Sequence, residues 1–484
     1  MSISQALSNA TSGLGAASRQ AGVVSQNIAN ALTPGYSRRE VSLSERTLAG
    51  QGAGVRVAGI DRAAAPALTA ERRSADGAAA RDSARLQAAE KISSLFGGPE
   101  DAGSLFAQLS AFDRSLRALA NAPASVAAQQ TAASAAKRLA SGVAGLSQSI
   151  NAIRQDADRS IGAEVSRVNG SLQQIERLNG EIEKATVQGR DASALLDDRD
   201  RQIDALNRAI PVRVLTRDNG RVDLITLEGA PLIAGGARQL SFSSTPLIGA
   251  GQTYANGALS GLAVDGVEIT PGVSSRSIAG GSLAGLFSVR DEIGAQASDE
   301  LDAFAAGLIN RFAQAGLDPT AAPGAPSLFT DGGSALAAPF APGLAGRLAL
   351  NAAVDPEAGG VASRLRDGLY AAAPGPAGSN ALLSALVDAL DAPQAQPFAG
   401  GRLLTALEAG ADLTALRAAS LSRLDSEATG SSAYAAALSD AELVETGVDT
   451  DAELQLLLLI EQAYAANARV IEVTSRLIDQ LTEL

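Results

Sequence analysis

Two seams of apolar residues, one toward each end of the chain, carry the clearest periodic signal. Near the start, Ile3, Leu7, Ala10, Leu14, Ala17, Ala21, Val24 and Ile28 recur at spacings of four and three, the repeat that gathers side chains on one face of a helix. Ser4, Asn9, Ser18, Arg19, Ser25 and Gln26 fall on the opposite face, and the pattern predicts a helix of roughly 26 residues. It should stop before Pro34, which biases Leu32-Thr33 toward extended geometry, with Gly35 supplying positive φ in the turn Thr33-Pro34-Gly35-Tyr36. Near the other end, Leu457, Ile460, Tyr464, Asn467, Ile471, Thr474, Ile478 and Leu481 repeat by three and four, widened by Ala465 and Ala468. Asp449 or Thr450 can cap this second helix, and Glu453 stands three residues beyond Thr450 as in a capping box. Asn467 reads either as a register device or as a polar residue tolerated at a bundle edge. The small residues of the first seam bury little by themselves, so both seams predict partners. Periodicity alone leaves open whether those partners lie within one subunit or between subunits.

The interior alternates helical and extended patterns. Residues 67–94 are charged and alanine-rich after Pro66, and 103–120 and 124–208 read as further long helices. The last of these carries Ile161, Val165, Val168, Leu172, Ile175 and Ile182 on one seam, although Gly142, Gly145, Gly162, Gly170, Gly180 and Gly189 weaken it and some could mark breaks. Past Pro211, Val212, Val214, Val222, Leu224, Ile225 and Leu227 bracket Asp218-Asn219-Gly220, a tight hairpin signal, and alternating glycine-rich sequence runs to about residue 280. Helical spacing returns at Leu286, Val289, Ile293, Leu301, Phe304, Leu308 and Phe312. Residues 316–403 are rich in alanine, proline and glycine around apolar islands at Leu328-Phe329, Leu344–Leu350 and Leu382–Leu390, and a helical stretch follows over 404–442.

The expected fold is therefore mainly α with an inserted β-rich domain. It is an elongated multidomain molecule whose amino- and carboxyl-terminal helices pack together in a coiled-coil-like bundle. Residues 1–35 and 444–484 would form a terminal helical unit, and 36–210, 281–315 and 404–443 a long-helix core. Residues 211–280 would be the β-rich insertion, and 316–403 an outer region that mixes a modest folded unit with loops.

Composition narrows the function. With 484 residues, 46% of them hydrophobic, the chain can bury more than one core. A formal charge of −13 argues against a nucleic-acid binder, which needs a concentrated basic surface. There is no cysteine and no histidine, so disulfides, thiolate metal sites and the commonest neutral-pH general base are excluded. No apolar run approaches the length needed to cross a bilayer, the longest being Leu456–Ile460, and residues 1–20 do not read as a signal peptide. The glycines of Gly50-Gln51-Gly52-Ala53-Gly54-Val55 lack the strand, helix and third glycine of a dinucleotide cradle, and a tight turn into a short strand is the better reading. Asp197, Asp198, Asp200 and Asp204 could invite a divalent cation, but Arg199, Arg201 and Arg208 interleave with them, which favours an internal ion-pair network. No residue set nominates an active site, a cofactor or a small-molecule substrate.

The segment Ser25-Gln26-Asn27-Ile28-Ala29-Asn30-Ala31-Leu32-Thr33-Pro34-Gly35-Tyr36-Ser37-Arg38-Arg39 resembles the amino-terminal signature of flagellar rod, hook and hook-associated proteins. Its Ser37-Arg38 step is most similar to the first hook-associated, or hook-filament junction, protein family. Residues Gly447–Leu454 and Glu461–Ile471, including Gln462, Tyr464 and Arg469, resemble the carboxyl-terminal half of that signature. Inside the chain, Leu105–Phe112, Leu116–Pro123, Leu195–Ile203 and Gly281–Asp291 also resemble junction-protein stretches, whereas residues 316–443 match weakly.

The resemblance implies a structural protein rather than an enzyme. It would leave the cytoplasm unfolded through the flagellar type III export apparatus with an export chaperone, and would be built into the extracellular flagellum between hook and filament. Its implied partners are copies of itself, hook protein, and a second junction protein or flagellin. Ile3, Leu7, Leu14, Val24, Ile28, Leu457, Ile460, Tyr464, Ile471, Ile478 and Leu481 would form the assembly interface. A hook or rod protein shares the terminal architecture, and a non-flagellar coiled-coil adaptor is the alternative from another functional class.

Overall fold

The first seam forms helix α1 (Ile3–Asn30), with Ala10, Ala17 and Val24 buried. The computed structural model describes residues 3–48, 51–98 and 101–482, and the side chains of Leu48, Gln51 and Leu481 lie outside the described set. After α1, the Tyr36 N–H donates to the Thr33 carbonyl at 3.1 Å while Gly35 adopts φ 75°. That turn needs positive φ at its third position, which Gly35 supplies, and favours proline at its second, where Pro34 stands.

Strands β1 (Arg39–Leu48) and β2 (Gln51–Arg62) follow as a long antiparallel hairpin with register shifts after Ser42 and Glu45. This corrects the expectation of one short strand. Val41 and Leu43 on one arm and Val55 and Val57 on the other alternate with polar residues, the period-two pattern of a half-covered sheet.

Four helices succeed the hairpin: α2 (Pro66–Phe96), α3 (Leu105–Asn121), α4 (Val126–Val187) and α5 (Ser193–Ala209). Ser104 and Ser125 cap α3 and α4 by accepting from the amides of Ala107 and Ala128. The single helix expected over 124–208 is two helices, separated around Gly189 at φ 63°. The other five glycines stay inside α4. At Gly142 the missing Cβ leaves room for the Gln108 side chain of α3. At ~1.5 Å per residue, α4 is about 93 Å long.

Residues 211–280 hold two small antiparallel sheets. One comprises β3 (Val212–Thr216), β4 (Val222–Thr226) and β5 (Pro231–Ile233), turned at Asn219 and Gly220, both with positive φ. The other comprises β6 (Leu240–Ser241), β7 (Ala263–Val264) and β8 (Val267–Glu268). Helix α6 (Gly281–Ser288), a π turn over Val289–Ile293 and α7 (Gly294–Phe312) return the chain. The next stretch alternates short pieces: β9 (Phe329–Asp331), α8 (Leu344–Arg347), β10 (Leu348–Leu350), α9 (Arg364–Asp367), α10 (Ala381–Asp391), β11 (Gln394–Gln396) and β12 (Arg402–Leu404). Finally α11 (Ala406–Thr446) starts from a capping box of Thr405 and Glu408, and α12 (Thr450–Thr482) follows after a short turn. The fold is mainly α with inserted β elements, and its first and last helices pack on each other.

Helix α4 runs through two large cores. In one, Leu109, Phe112 and Leu116 of α3 meet Leu139, Leu301 and Phe304, and Leu328, Phe329, Leu365 and Leu383 belong to the same continuous cluster. The Phe112 and Phe329 rings stack edge-on at 5.6 Å. The alanine- and proline-rich stretch thus completes the helical core. The second core joins Ile161, Val168 and Leu172 to Ile203, Leu206, Leu224, Leu232 and Phe287. Between them α4 buries charge: Asp158 and Arg290, both fully buried, pair at 2.7 Å, and Arg154 donates to the Arg290 carbonyl at 2.8 Å. A π turn leaves backbone carbonyls out of the regular ladder, and the guanidinium satisfies one of them.

Candidate assembly interface

Helices α1 and α12 run antiparallel. Asn27 near the end of α1 meets Glu453 near the start of α12, and Gly13 faces Asn467, whose Nδ2 would lie 2.8 Å from a Cβ at that glycine. Asn467 thus packs against Gly13 in the seam, while its Nδ2 donates within its own helix to the Ala463 carbonyl at 3.0 Å. Ala17, Val24 and Ile460 form the small core of the pair, with Ala21, Ile28 and Leu457 packed against it. Ile3, Leu7, Leu14 and Ile471 are half-buried, Thr474 is buried, and Tyr464 and Ile478 are exposed. The described residues do not include the Leu481 side chain.

Asn27 organises the base of the pair and is 1% exposed. Its Nδ2 donates to the Arg39 carbonyl at 2.9 Å and to Glu453 Oε1 at 3.0 Å. Its Oδ1 accepts from the Tyr36 hydroxyl at 2.9 Å and from the Arg39 amide at 3.0 Å. One amide side chain thereby ties α1, the turn, β1 and α12. The Arg39 guanidinium lies 4.8 Å from the Tyr36 ring centroid, and burial pushes the Tyr36 hydroxyl up from its ordinary value.

Asn30 closes the end of α1, donating to the Gln26 carbonyl at 2.9 Å and accepting from Thr33 Oγ1 at 3.3 Å. Pro34 and Gly35 are exposed, but Gly35 lies close against the Arg201 side chain. Ser37 is buried, and the Arg38 amide donates to the Thr446 carbonyl at 2.8 Å, fastening the turn to the end of α11. Gln462 and Arg469 are exposed.

Of the two capping residues expected, Asp449 serves, but the capping box with Glu453 does not form. Asp449 caps α12, its carboxylate accepting from the amides of Asp451 at 2.9 Å and Ala452 at 3.2 Å. Glu453 turns inward to Asn27 instead of closing a box, and burial raises its carboxyl above its ordinary value against the pull of Asn27 and Arg38.

The hairpin is clamped on both sides. Against α1, the Val55 amide donates to Ser12 Oγ at 3.2 Å, and Gly54, at φ 99°, leaves no space for a Cβ beside Ser12. Against α5, Asp197 pairs with Arg39 at 2.9 Å and Arg62 at 2.8 Å, Asp200 with Arg62 at 2.6 Å and Arg73 at 3.2 Å, and Asp204 with Arg72 and Arg73. Burial pushes the Asp200 carboxyl up, but Arg62 and Arg73 outweigh it and hold the group below its ordinary range. The acidic cluster is an ion-pair network whose cations come chiefly from the hairpin and α2. Of the arginines expected to serve it, Arg201 pairs with Asp198, while Arg199 turns to Asn179 Oδ1 and the Gly220 carbonyl. Among the described residues no group of three or more His, Cys, Asp or Glu is placed to hold a metal ion.

A second stripe on α12 escaped the sequence reading. Leu456, Leu459, Val470, Val473 and Leu477 are 42%, 62%, 43%, 55% and 45% exposed, with Ala463 and Ala466 between them also exposed. These positions repeat by three and four, one residue behind the seam that faces α1, so the signal was present and hidden by its neighbour.

Comparison with known proteins finds flagellar relatives. The family model of the flagellar hook-associated protein FlgK helical domain matches residues 89–328, from α2 to the start of β9. Flagellar hook-associated protein 1 of Salmonella typhimurium is 30% identical over 247 residues, 49% of this chain and 44% of that protein. Its Escherichia coli counterpart is 28% identical over 298 residues, covering 60% and 53%. The solved structure of the flagellar hook junction protein FlgK from Burkholderia pseudomallei aligns at 24% identity and a TM-score of 0.44, over 54% of this chain and 46% of that one. The matches span about half the length of the curated relatives. The helical-domain match and the curated relatives agree, and over residues 89–328 the chain is similar to the helical domain of the flagellar hook-associated protein FlgK.

Proposed function

We propose that this chain is a structural part of the bacterial flagellum, joining hook to filament and held in place through α1 and α12, and that it is not an enzyme. The observation that carries the reading is the apolar stripe on α12 left uncovered by α1. A row of large apolar residues at coiled-coil spacing, lying in water on an ordered helix, is stabilised once a neighbouring subunit covers it. Its neighbours would be copies of itself, hook protein on one side and a second junction protein or flagellin on the other. The route outward is type III export with a chaperone after a transient cytoplasmic stage, and a chain without disulfides suits passage unfolded. In this reading residues 1–35 and 444–484 are the assembly unit, and the rest of the chain projects from it.

A short epitope placed after Gly378, in an exposed loop, tests the assignment by labelling intact flagella. Label confined to the boundary of hook and filament is expected. Label spread along the hook would favour a hook protein, and label retained inside flagellated cells would reject the reading.

A further inference from the structure

The base of the terminal pair leaves one buried carboxylate oxygen unanswered. A cleft of about 300 Å³ lies there, lined by Val23 and Val24 of α1, by Arg38 and Val41, and by Glu453 and Leu456 of α12. Glu453 is 5% exposed, and while Oε1 receives Asn27, Oε2 has no hydrogen-bond partner among the described residues. The other charges around the cleft are engaged. Arg38 pairs with Glu40 at 2.9 Å, Arg39 with Asp197 at 2.9 Å, and Asp449 caps α12. A carboxylate removed from water with a free acceptor calls for a charged donor, and since Oε2 is itself closed to solvent, a donor entering the cleft meets it once the Glu453 side chain turns toward the opening.

Resting on the reading of α12 as an assembly surface, we propose that the cleft receives Arg469 from a second copy of this chain. Arg469 is exposed, and among the described residues it takes part in no hydrogen bond or ion pair. Along one helix it stands about 24 Å from Glu453 at ~1.5 Å per residue, so no copy fills its own cleft. The uncovered stripe begins at Leu456 on the cleft and runs past Arg469. Two parallel copies of α12 staggered by about this distance set Val473 and Leu477 of one stripe against Leu456 and Leu459 of the other, and bring one copy's guanidinium to the other's carboxylate. A planar guanidinium suits the site, because it can reach Oε2 while keeping part of its fork in water. The contact joins unlike surfaces, so it repeats from copy to copy and builds a ring or a helix instead of closing a dimer.

Because the chain contains no cysteine, engineered thiols report without background. Ala452→Cys copies, beside the cleft, are co-expressed with Ala466→Cys copies, beside Arg469, and intact flagella are treated with a short bis-maleimide. Cross-linked pairs containing one copy of each are expected. Arg469→Glu, a change on an exposed face, should reduce the yield about tenfold, and should do far less in a Glu453→Gln background, where the repulsion is gone and the Asn27 bond is kept. Incorporated copies that give no mixed cross-link overturn the contact, as does an equal effect of Arg469→Glu in both backgrounds. Failure of the unmodified chain to enter flagella at all would instead reject the assembly reading beneath it.

Discussion

Asn27 shows what a single side chain can settle. Its four hydrogen bonds reach a turn, a strand and a distant helix, so its amide is satisfied only when all three are in place. The Asn-Ile-Ala-Asn-to-Tyr signature was legible in the sequence, but its purpose was not, because Glu453 lies at the other end of the chain. Glu453 was also open to a local misreading, since its spacing from Thr450 suits a capping box and only the fold turns it inward. Burial raises its folded value above the ordinary 4.5, with Arg38 pulling down and Glu40 pushing up. A raised carboxyl contributes fully to helix docking below the ordinary glutamate range, and that contribution is lost as pH rises through the folded value. Protection of the amides in the first turns of α12, corrected for the base-catalysed rise in intrinsic exchange, should therefore fall severalfold from weakly acidic to neutral pH. Glu453→Gln should flatten that dependence and leave the turns protected at neutral pH. An unchanged profile in the variant would assign the titration to another group.

At the level of elements, long helices were legible because their periodicity extends over many turns, and Pro66, Ser104 and Ser125 mark starts that follow local rules. The split of α4 from α5 at Gly189 was not, since six glycines compete for one break and five are tolerated where neighbours approach or solvent lies open. The β1–β2 hairpin was undervalued for a different reason. It has no broad core of its own and is held by Gly54 against Ser12 and by arginines reaching Asp197 and Asp200, which are contacts of long range. Gly54→Val should separate the hairpin from α1, because its φ of 99° and the Ser12 hydroxyl both exclude a side chain. A cost of about 1–3 kcal/mol is expected from overpacking, read as a lower unfolding midpoint and faster exchange of the Val55 amide. Unchanged exchange at Val55 would show that the hairpin is not held by this contact.

For the whole molecule, two large cores are closed within one chain while the terminal pair is not. The cores of α3 to α7 bury their large residues almost completely, whereas α12 leaves Leu456, Leu459, Val470, Val473 and Leu477 in water. Free energy for association is thus concentrated at one end, where a neighbour can supply the missing cover. That division was readable in outline from the seams, though not the second stripe, which trails the first by one residue throughout. Hydrogen exchange compared between a verified monomer and assembled flagella tests it most directly. The amides of α12 from Leu456 to Leu477 should exchange readily in the monomer and gain marked protection on assembly, with those of α4 slow in both states. Equal protection of α12 in the two states would contradict the account, because the exposed stripe would then need no neighbour to hold its helix in place.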